Sequence, residues 1–233
     1  MRYAAVFFDA GETLVHPHPS FPDLLSEILI REGFDVSPER VRERAHVVFD
    51  RFRSAAQANE LWTTSPERSR KFWHEVYAIF FRELGIPNGN GLIDVVYGEF
   101  TDLANYRLFD DVPAVLERLR AAGLVLGVIS NFEEWLERLL EQLGVRAFFD
   151  VRVISGLEGV EKPDPRIFEL ATTRAGVPPG RSVYVGDNPE FDVAPALAVG
   201  MFPVLIDRRG RFEQEPATRI THLDQLAGVI GIA

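Results

Sequence analysis

Cysteine is absent from all 233 residues, which excludes disulfides, thiolate catalysis and zinc sites built on sulfur. A chain without it suits a reducing compartment, and a cytoplasmic location is expected. Lysine is almost as scarce: Lys71 and Lys162 stand alone among arginines and histidines. No apolar run approaches the length of a membrane helix. The opening run is short and interrupted by Asp9, so no leader is expected either. Basic residues are outnumbered 25 to 35, for a net charge of −10. Such a surface repels nucleic acid and anionic membranes, and neither is expected as a partner. An anion would need a site made positive locally by a metal ion, a helix N-terminus or a placed cation.

Hydrophobic residues make up 46% of the chain, enough for a full core in one large domain or two modest ones. Ala4 to Phe8 is an apolar run with aromatic and β-branched members, which predicts a strand buried on both faces and ending at Asp9. The rhythm then turns helical for about ninety residues. His16-Pro17-His18-Pro19 predicts a stiff extended linker. Helices are expected over Leu24, Leu25, Ile28 and Leu29, and from Ser37-Pro38 through Val41, Ala45, Val48, Phe49 and Phe52. Others are expected from Ser65-Pro66 to a stop at Gly85, and around Leu92 to Leu103. Four amphipathic helices with no strand between them form a bundle of their own.

From Leu108 helix and strand alternate. Strands are expected at Leu124–Ile129, Val151–Ile154, Ser182–Val185 and Phe202–Ile206, with helices between them and a last helix starting near Thr221. The alternation specifies an α/β fold, a doubly wound parallel sheet, interrupted after its first strand by an all-helical insertion. Residues 1–14 and 108–233 are assigned to the sheet domain and 15–107 to the insertion.

Four polar groups then fall at carboxyl ends of strands or in the loops just beyond them. They are Asp9, Ser130 with Asn131, Lys162 in Glu161-Lys162-Pro163-Asp164-Pro165, and the run Gly186 to Asp192. In a doubly wound sheet these loops converge on one crevice. Two carboxylates beside an anionic substrate suit Mg²⁺, which takes one or two carboxylates and keeps waters. Ser130 and the backbone N–H groups beside it suit a phosphate oxygen, and Lys162 supplies a compact positive charge to the same group. Asp9 is placed to attack phosphorus and form an aspartyl-phosphate.

Four motifs in this order resemble the haloacid dehalogenase superfamily, mostly Mg²⁺-dependent phosphatases with a Rossmann-like core. They are Phe8-Asp9-Ala10-Gly11-Glu12-Thr13-Leu14, Val128-Ile129-Ser130-Asn131, Lys162 in its Glu-Lys-Pro-Asp-Pro context, and Gly186 to Asp192. The insertion resembles that family's helical cap. The resemblance implies that Asp9 is nucleophile and metal ligand, that Gly11 offers its carbonyl to the metal, and that Asp187 and Asp192 complete the metal site. It implies a small phosphorylated substrate. One position departs: the family's second Asp, the acid that protonates the leaving group, is Gly11 here. Glu12 is the neighbouring candidate for a surrogate acid, although adjacent side chains after a strand tend to point apart. A 2-haloacid dehalogenase, whose relatives also lack the second Asp and need no metal, is one alternative. A phosphate-ligand binding or regulatory protein that has lost the acid is another. His16 and His18 are read as cap-entrance residues, Trp73 and Tyr77 as core, and Lys71 as a surface lysine. Oligomeric state is not legible.

Overall fold

The computed structural model describes residues 2–87, 89 and 91–232. Contacts divide the chain into two units, Met1–Val15 with Leu108–Ala233, and His16–Arg107. Val15 falls with the sheet because its N–H, like that of Leu14, donates to Ala10 O.

The chain opens with β1 (Ala5–Phe8), in which every residue is buried. The Pro-rich stretch after it is partly a short strand, β2 (Val15–Pro17), paired with β3 (Tyr106–Leu108). The stretch is extended here, as expected of it, and the pairing with a second strand is the addition.

The helical unit comprises α1 (Phe21–Arg31), α2 (Pro38–Glu43), α3 (His46–Gln57), α4 (Pro66–Leu84) and α5 (Leu92–Thr101). Ser20, Ser37 and Ser65 each cap a helix by accepting from the backbone N–H three residues on, with Pro at the start of the helix. Gly85, at φ 75°, ends α4 in the left-handed conformation that suits glycine. The one helix expected from Pro38 through Phe52 breaks at Arg44–Ala45, where Val47 and Val48 bond to carbonyls only three residues back. On one unbroken helix Val41 and Val47 would point about 120° apart. The break lets both be buried, at 0% and 3% exposure. Trp62, Phe72 and Tyr77 are core, Trp73 is half-buried, and Lys71 is exposed.

The second unit adds α6 (Val112–Ala121), β4 (Val125–Ser130), α7 (Leu136–Gln142), β5 (Val151–Ile154), α8 (Ser155–Glu158) and α9 (Pro165–Ala175). It continues with β6 (Ser182–Gly186), a wide π-type turn (Pro189–Val193), α10 (Ala194–Ala198), β7 (Phe202–Ile206), β8 (Arg219–Ile220) and α11 (Leu226–Ile230). The sheet runs β5-β4-β1-β6-β7-β8 with parallel neighbours throughout. β8 is an addition to the expected strands; two residues carry no periodicity, and they pair with Leu205 and Ile206. The final helix begins at Leu226 rather than near Thr221, behind a 3₁₀ turn at Leu223–Gln225.

Phe7, Ile129, Val153, Phe168 and Tyr184 share one apolar cluster. Burying side chains of this size contributes about 1.5–3 kcal/mol each. Gly127 is needed there, because a Cβ would sit 2.5 Å from the Phe7 ring. Strand register aligns the carboxyl ends: Phe8 pairs with both Val128 and Val185, so Asp9 emerges level with Ile129 and Gly186. Among the described residues no helix is long and apolar enough to cross a membrane.

Candidate active site

Three parallel strands end together and release Asp9, Ser130 and Asp187 at one edge of the sheet. Asp9, 7% exposed, accepts at Oδ1 from Ser130 Oγ (3.0 Å) and Lys162 Nζ (2.7 Å). Its Oδ2 has no hydrogen-bond partner among the described residues. Lys162 arrives from the loop before α9, where Asp164 caps the helix by accepting from Arg166 N. The Asn131 side chain grips the Lys162 backbone in both directions. Nδ2 donates to Lys162 O at 2.8 Å, and Oδ1 accepts from Lys162 N at 2.6 Å. Asn131 thus spends its side chain on placing the lysine, leaving only its backbone for the phosphate role expected of it.

Asp192 is delivered by the wide turn after β6, a local distortion of the kind that recurs at functional sites. Its Oδ1 accepts from Lys162 Nζ (2.6 Å) and Tyr184 OH (2.9 Å), and its Oδ2 from Asn188 N (2.9 Å). Gly186 makes room for it: a Cβ there would lie 2.3 Å from Asp192 Cγ. Single oxygens of Asp9, Asp187 and Asp192 lie within 4.8 Å of one another.

Three carboxylates so close share one ammonium and one guanidinium, and the acidities of Asp9 and Asp187 show it. Burial raises Asp9 above the ordinary carboxylate range, and Asp192 adds to this while Lys162 and Ser130 oppose it. Burial, then Asp192 and Asp9, push Asp187 up to about 8 against the pull of Arg211. Burial alone would depress Lys162, but the Asp192 and Asp9 carboxylates outweigh it and hold the ammonium above its usual value. The ion-free cluster therefore keeps a proton that a divalent cation would replace.

That proton has a consequence for stability. A folded state that holds a proton the unfolded chain has released loses stability as pH rises between the two pKa values. For Asp187 the window runs from 3.8 to about 8. Ion-free protein is expected to unfold at lower urea at a pH of about 8 than at about 5, and Asp187→Asn to flatten the decline. The acids held low, among them Asp111, Glu137, Asp164 and Asp207, lose their stabilising effect only as pH falls below their ordinary values of 3.8 and 4.5, outside the range compared. Urea midpoints that rise with pH would contradict the assignment.

The donor set fits a hard divalent cation. It is all oxygen, and it leaves Asp187 Oδ1 without hydrogen bonds among the described residues. Asp192 is the least available of the three, since both its oxygens already accept hydrogen bonds.

Gly11 and Glu12 complete the loop after β1. A Cβ on Gly11 would meet nothing within 4 Å. Glu12 adopts φ 56°, and its Oε2 is taken by Arg209 Nη2 at 2.7 Å. That pairing holds the carboxylate on the loop after β7, which does not suit the surrogate-acid role.

Sequence reasoning missed two parts of this region. The Tyr184 hydroxyl lies within hydrogen-bond reach of Ile129 O (3.0 Å) and Asp192 Oδ1 (2.9 Å), with one proton for the two acceptors, and itself accepts from Lys162 Nζ at 3.0 Å. Its one signal was a tyrosine in an otherwise aliphatic strand just before Gly186-Asp187. The other is Asp207-Arg208-Arg209-Gly210-Arg211. Asp207, fully buried, accepts from Arg211 N (2.8 Å), Phe212 N (2.9 Å) and Arg219 Nη1 (3.0 Å). Arg208 forms a bidentate pair with Asp111, both bonds at 2.9 Å, and donates to Thr13 O. Arg211 Nη2 donates to Asp187 Oδ2 at 3.0 Å.

With this geometry in view, the class is clear: the chain belongs to the haloacid dehalogenase-like hydrolases, a family of enzymes that matches residues 3–200. Haloacid dehalogenase-like hydrolase domain-containing protein 3 of Mus musculus is 36% identical over 141 residues, 59% of this chain and 56% of its own. The chain thus spans little more than half the length of such relatives. Glyceraldehyde 3-phosphate phosphatase of Methanothermobacter thermautotrophicus is 32% identical over 206 residues, 87% of this chain and 85% of its own. The HAD-hydrolase YfnB of Bacillus subtilis, solved bound to magnesium, aligns over 100% of both chains with a TM-score of 0.79 at 15% identity. At that identity the likeness speaks for the fold.

Proposed function

We propose that this protein is a Mg²⁺-dependent hydrolase of a small phosphomonoester, acting through an aspartyl-phosphate on Asp9. The observation that carries this is the asymmetric Asp9 carboxylate: Ser130 and Lys162 fix Oδ1, while Oδ2 keeps its lone pairs free. Asp9 Oδ2 bonds to phosphorus as the bond to the leaving oxygen breaks, and that oxygen departs with the electron pair. Water then attacks phosphorus, which restores the carboxylate and releases inorganic phosphate. Lys162 keeps the nucleophile oriented and offers positive charge beside the phosphoryl group. The Asn131 N–H supplies a donor to its oxygens, and Ser130 joins it once its one hydroxyl proton turns from Asp9 Oδ1 to the phosphoryl group. A divalent cation held by Asp9, the Gly11 carbonyl and Asp187, with Asp192 in support, would neutralise charge on the phosphoryl group. We read the unit His16–Arg107 as the family's helical cap. The phosphatase relative that aligns over most of both chains supports a small phosphorylated substrate.

Gly11 sets the expected substrate preference. General acid catalysis contributes about 10²- to 10⁴-fold, so its lack should slow expulsion of alkoxide-like leaving groups by that order. Aryl or acyl phosphates, whose leaving groups scarcely need a proton, should turn over far better than sugar phosphates. Gly11→Asp, whose Cβ would meet nothing within 4 Å, should raise alkyl-phosphate turnover and flatten the dependence of rate on leaving-group pKa. If Gly11→Asp gains nothing and Glu12→Gln selectively abolishes alkyl-phosphate turnover, Glu12 is the acid.

A second reading is favoured by one contact. Arg211 on Asp187 supplies a cation without a metal, which suits attack by Asp9 on carbon in a 2-haloacid. Turnover of a 2-haloacid without Mg²⁺, beside inertness towards phosphate esters, would establish it. Inertness towards both classes would favour a phosphate-binding or regulatory protein.

A further inference from the structure

The loop after β7 has no part in the chemistry proposed, yet it places a guanidinium on a carboxylate that chemistry requires. Arg211 Nη2 and Asp187 Oδ2 are 3.0 Å apart, with side chains 29% and 17% exposed. The loop itself does not depend on that contact. Its anchor is the buried Asp207 carboxylate, which accepts from the backbone N–H of Arg211 and of Phe212. Arg208 makes a second anchor through Asp111 and Thr13 O. The Arg211 side chain can therefore leave Asp187 while its backbone stays fixed. A second resting place adjoins it, since the guanidinium already lies 5.2 Å from the centroid of the Phe212 ring.

We propose that the Arg211 guanidinium and a divalent cation are alternative counter-ions of Asp187, so that Arg211 sets how tightly the ion is held, an inference that rests on the metal-dependent function just proposed. A cation that takes Asp187 must first separate it from Arg211, and it then feels repulsion from the freed guanidinium. Both effects weaken ion binding. Arg209 acts differently: it pairs with Glu12 and makes no bond to the carboxylate cluster.

Calorimetric titration with MgCl₂ tests this, with wild type and variants compared in the same buffer. Breaking a partly exposed pair of this kind corresponds to about a 1.5- to fivefold change in affinity. Arg211→Gln should bind Mg²⁺ tighter by that factor, Arg211→Lys by less, and Arg209→Gln should match wild type. A merely structural arginine would have the opposite signature, because loosening the loop would weaken ion binding. An independent readout needs no variant: in wild-type protein the Arg211 Nε–Hε resonance should shift and sharpen as Mg²⁺ is added. Unchanged or weaker binding by Arg211→Gln, or an unmoved resonance while Mg²⁺ binds, overturns the competition alone. If wild-type protein takes up no Mg²⁺ at millimolar concentration, the metal-dependent function fails as well, and Arg211 is the permanent counter-ion of Asp187.

Discussion

Asp9→Asn is expected to lower kcat by about 10⁴-fold or more, because an amide is a poor nucleophile and no second group replaces it. Asp192 stands nearest by chemistry, but its oxygens are occupied by Lys162, Tyr184 and Asn188. Asp187 lies beyond the strand that presents Asp9, with Arg211 on one oxygen. The variant should still fold. Asn is close in shape to Asp, and Lys162 keeps Asp192 at 2.6 Å and the Tyr184 hydroxyl at 3.0 Å. Steady-state turnover of an aryl phosphate, beside a urea melt, checks both halves. Activity above about 1% of wild type in a folded variant would move the nucleophile elsewhere.

The largest effect on stability is expected at Lys162. Its side chain is 4% exposed and lies 2.7 Å from Asp9 and 2.6 Å from Asp192. Lys162→Met fills similar volume but leaves two buried carboxylates without their cation, a change that typically costs about 3–5 kcal/mol. Urea unfolding should show this loss, whereas the exposed Lys71→Met should stay within about 0.5 kcal/mol. Adding Asp192→Asn to Lys162→Met should recover part of the loss, since residues in one network are not additive. A Lys162→Met variant within about 1 kcal/mol of wild type would show that the cluster does not depend on its ammonium.

The sequence was most informative where pattern and chemistry coincide. β1 is an unbroken buried run that stops at Asp9, and β4 and β6 stop the same way at Ser130 and Gly186. Parallel register then brings their ends to one edge whatever the details of packing. Legibility fell where tertiary contacts decide. β2, β3 and β8 have three, three and two residues, too few for any period to show. The break between α2 and α3 comes from burying both Val41 and Val47, which propensity does not encode. At the site, residue types were readable but their bonding was not. Asn131 keeps its backbone N–H for the expected phosphate role, but nothing in the sequence says that its side chain holds the Lys162 backbone. Tyr184 and the arginines after β7 belong to no motif, so only the folded chain reveals that they meet Asp192, Glu12 and Asp187.

The central claim is that phosphorus becomes bonded to Asp9 during turnover. It is tested most directly by mixing wild-type protein with Mg²⁺ and an aryl phosphate, quenching in acid during the first turnover, and reducing with borohydride. An aspartyl-phosphate is an activated acyl group, and reduction converts that residue to homoserine. Peptide mass analysis should then find homoserine at position 9, and none in the Asp9→Asn variant. Turnover that leaves Asp9 unmodified, or that places the label on another residue, would contradict the account.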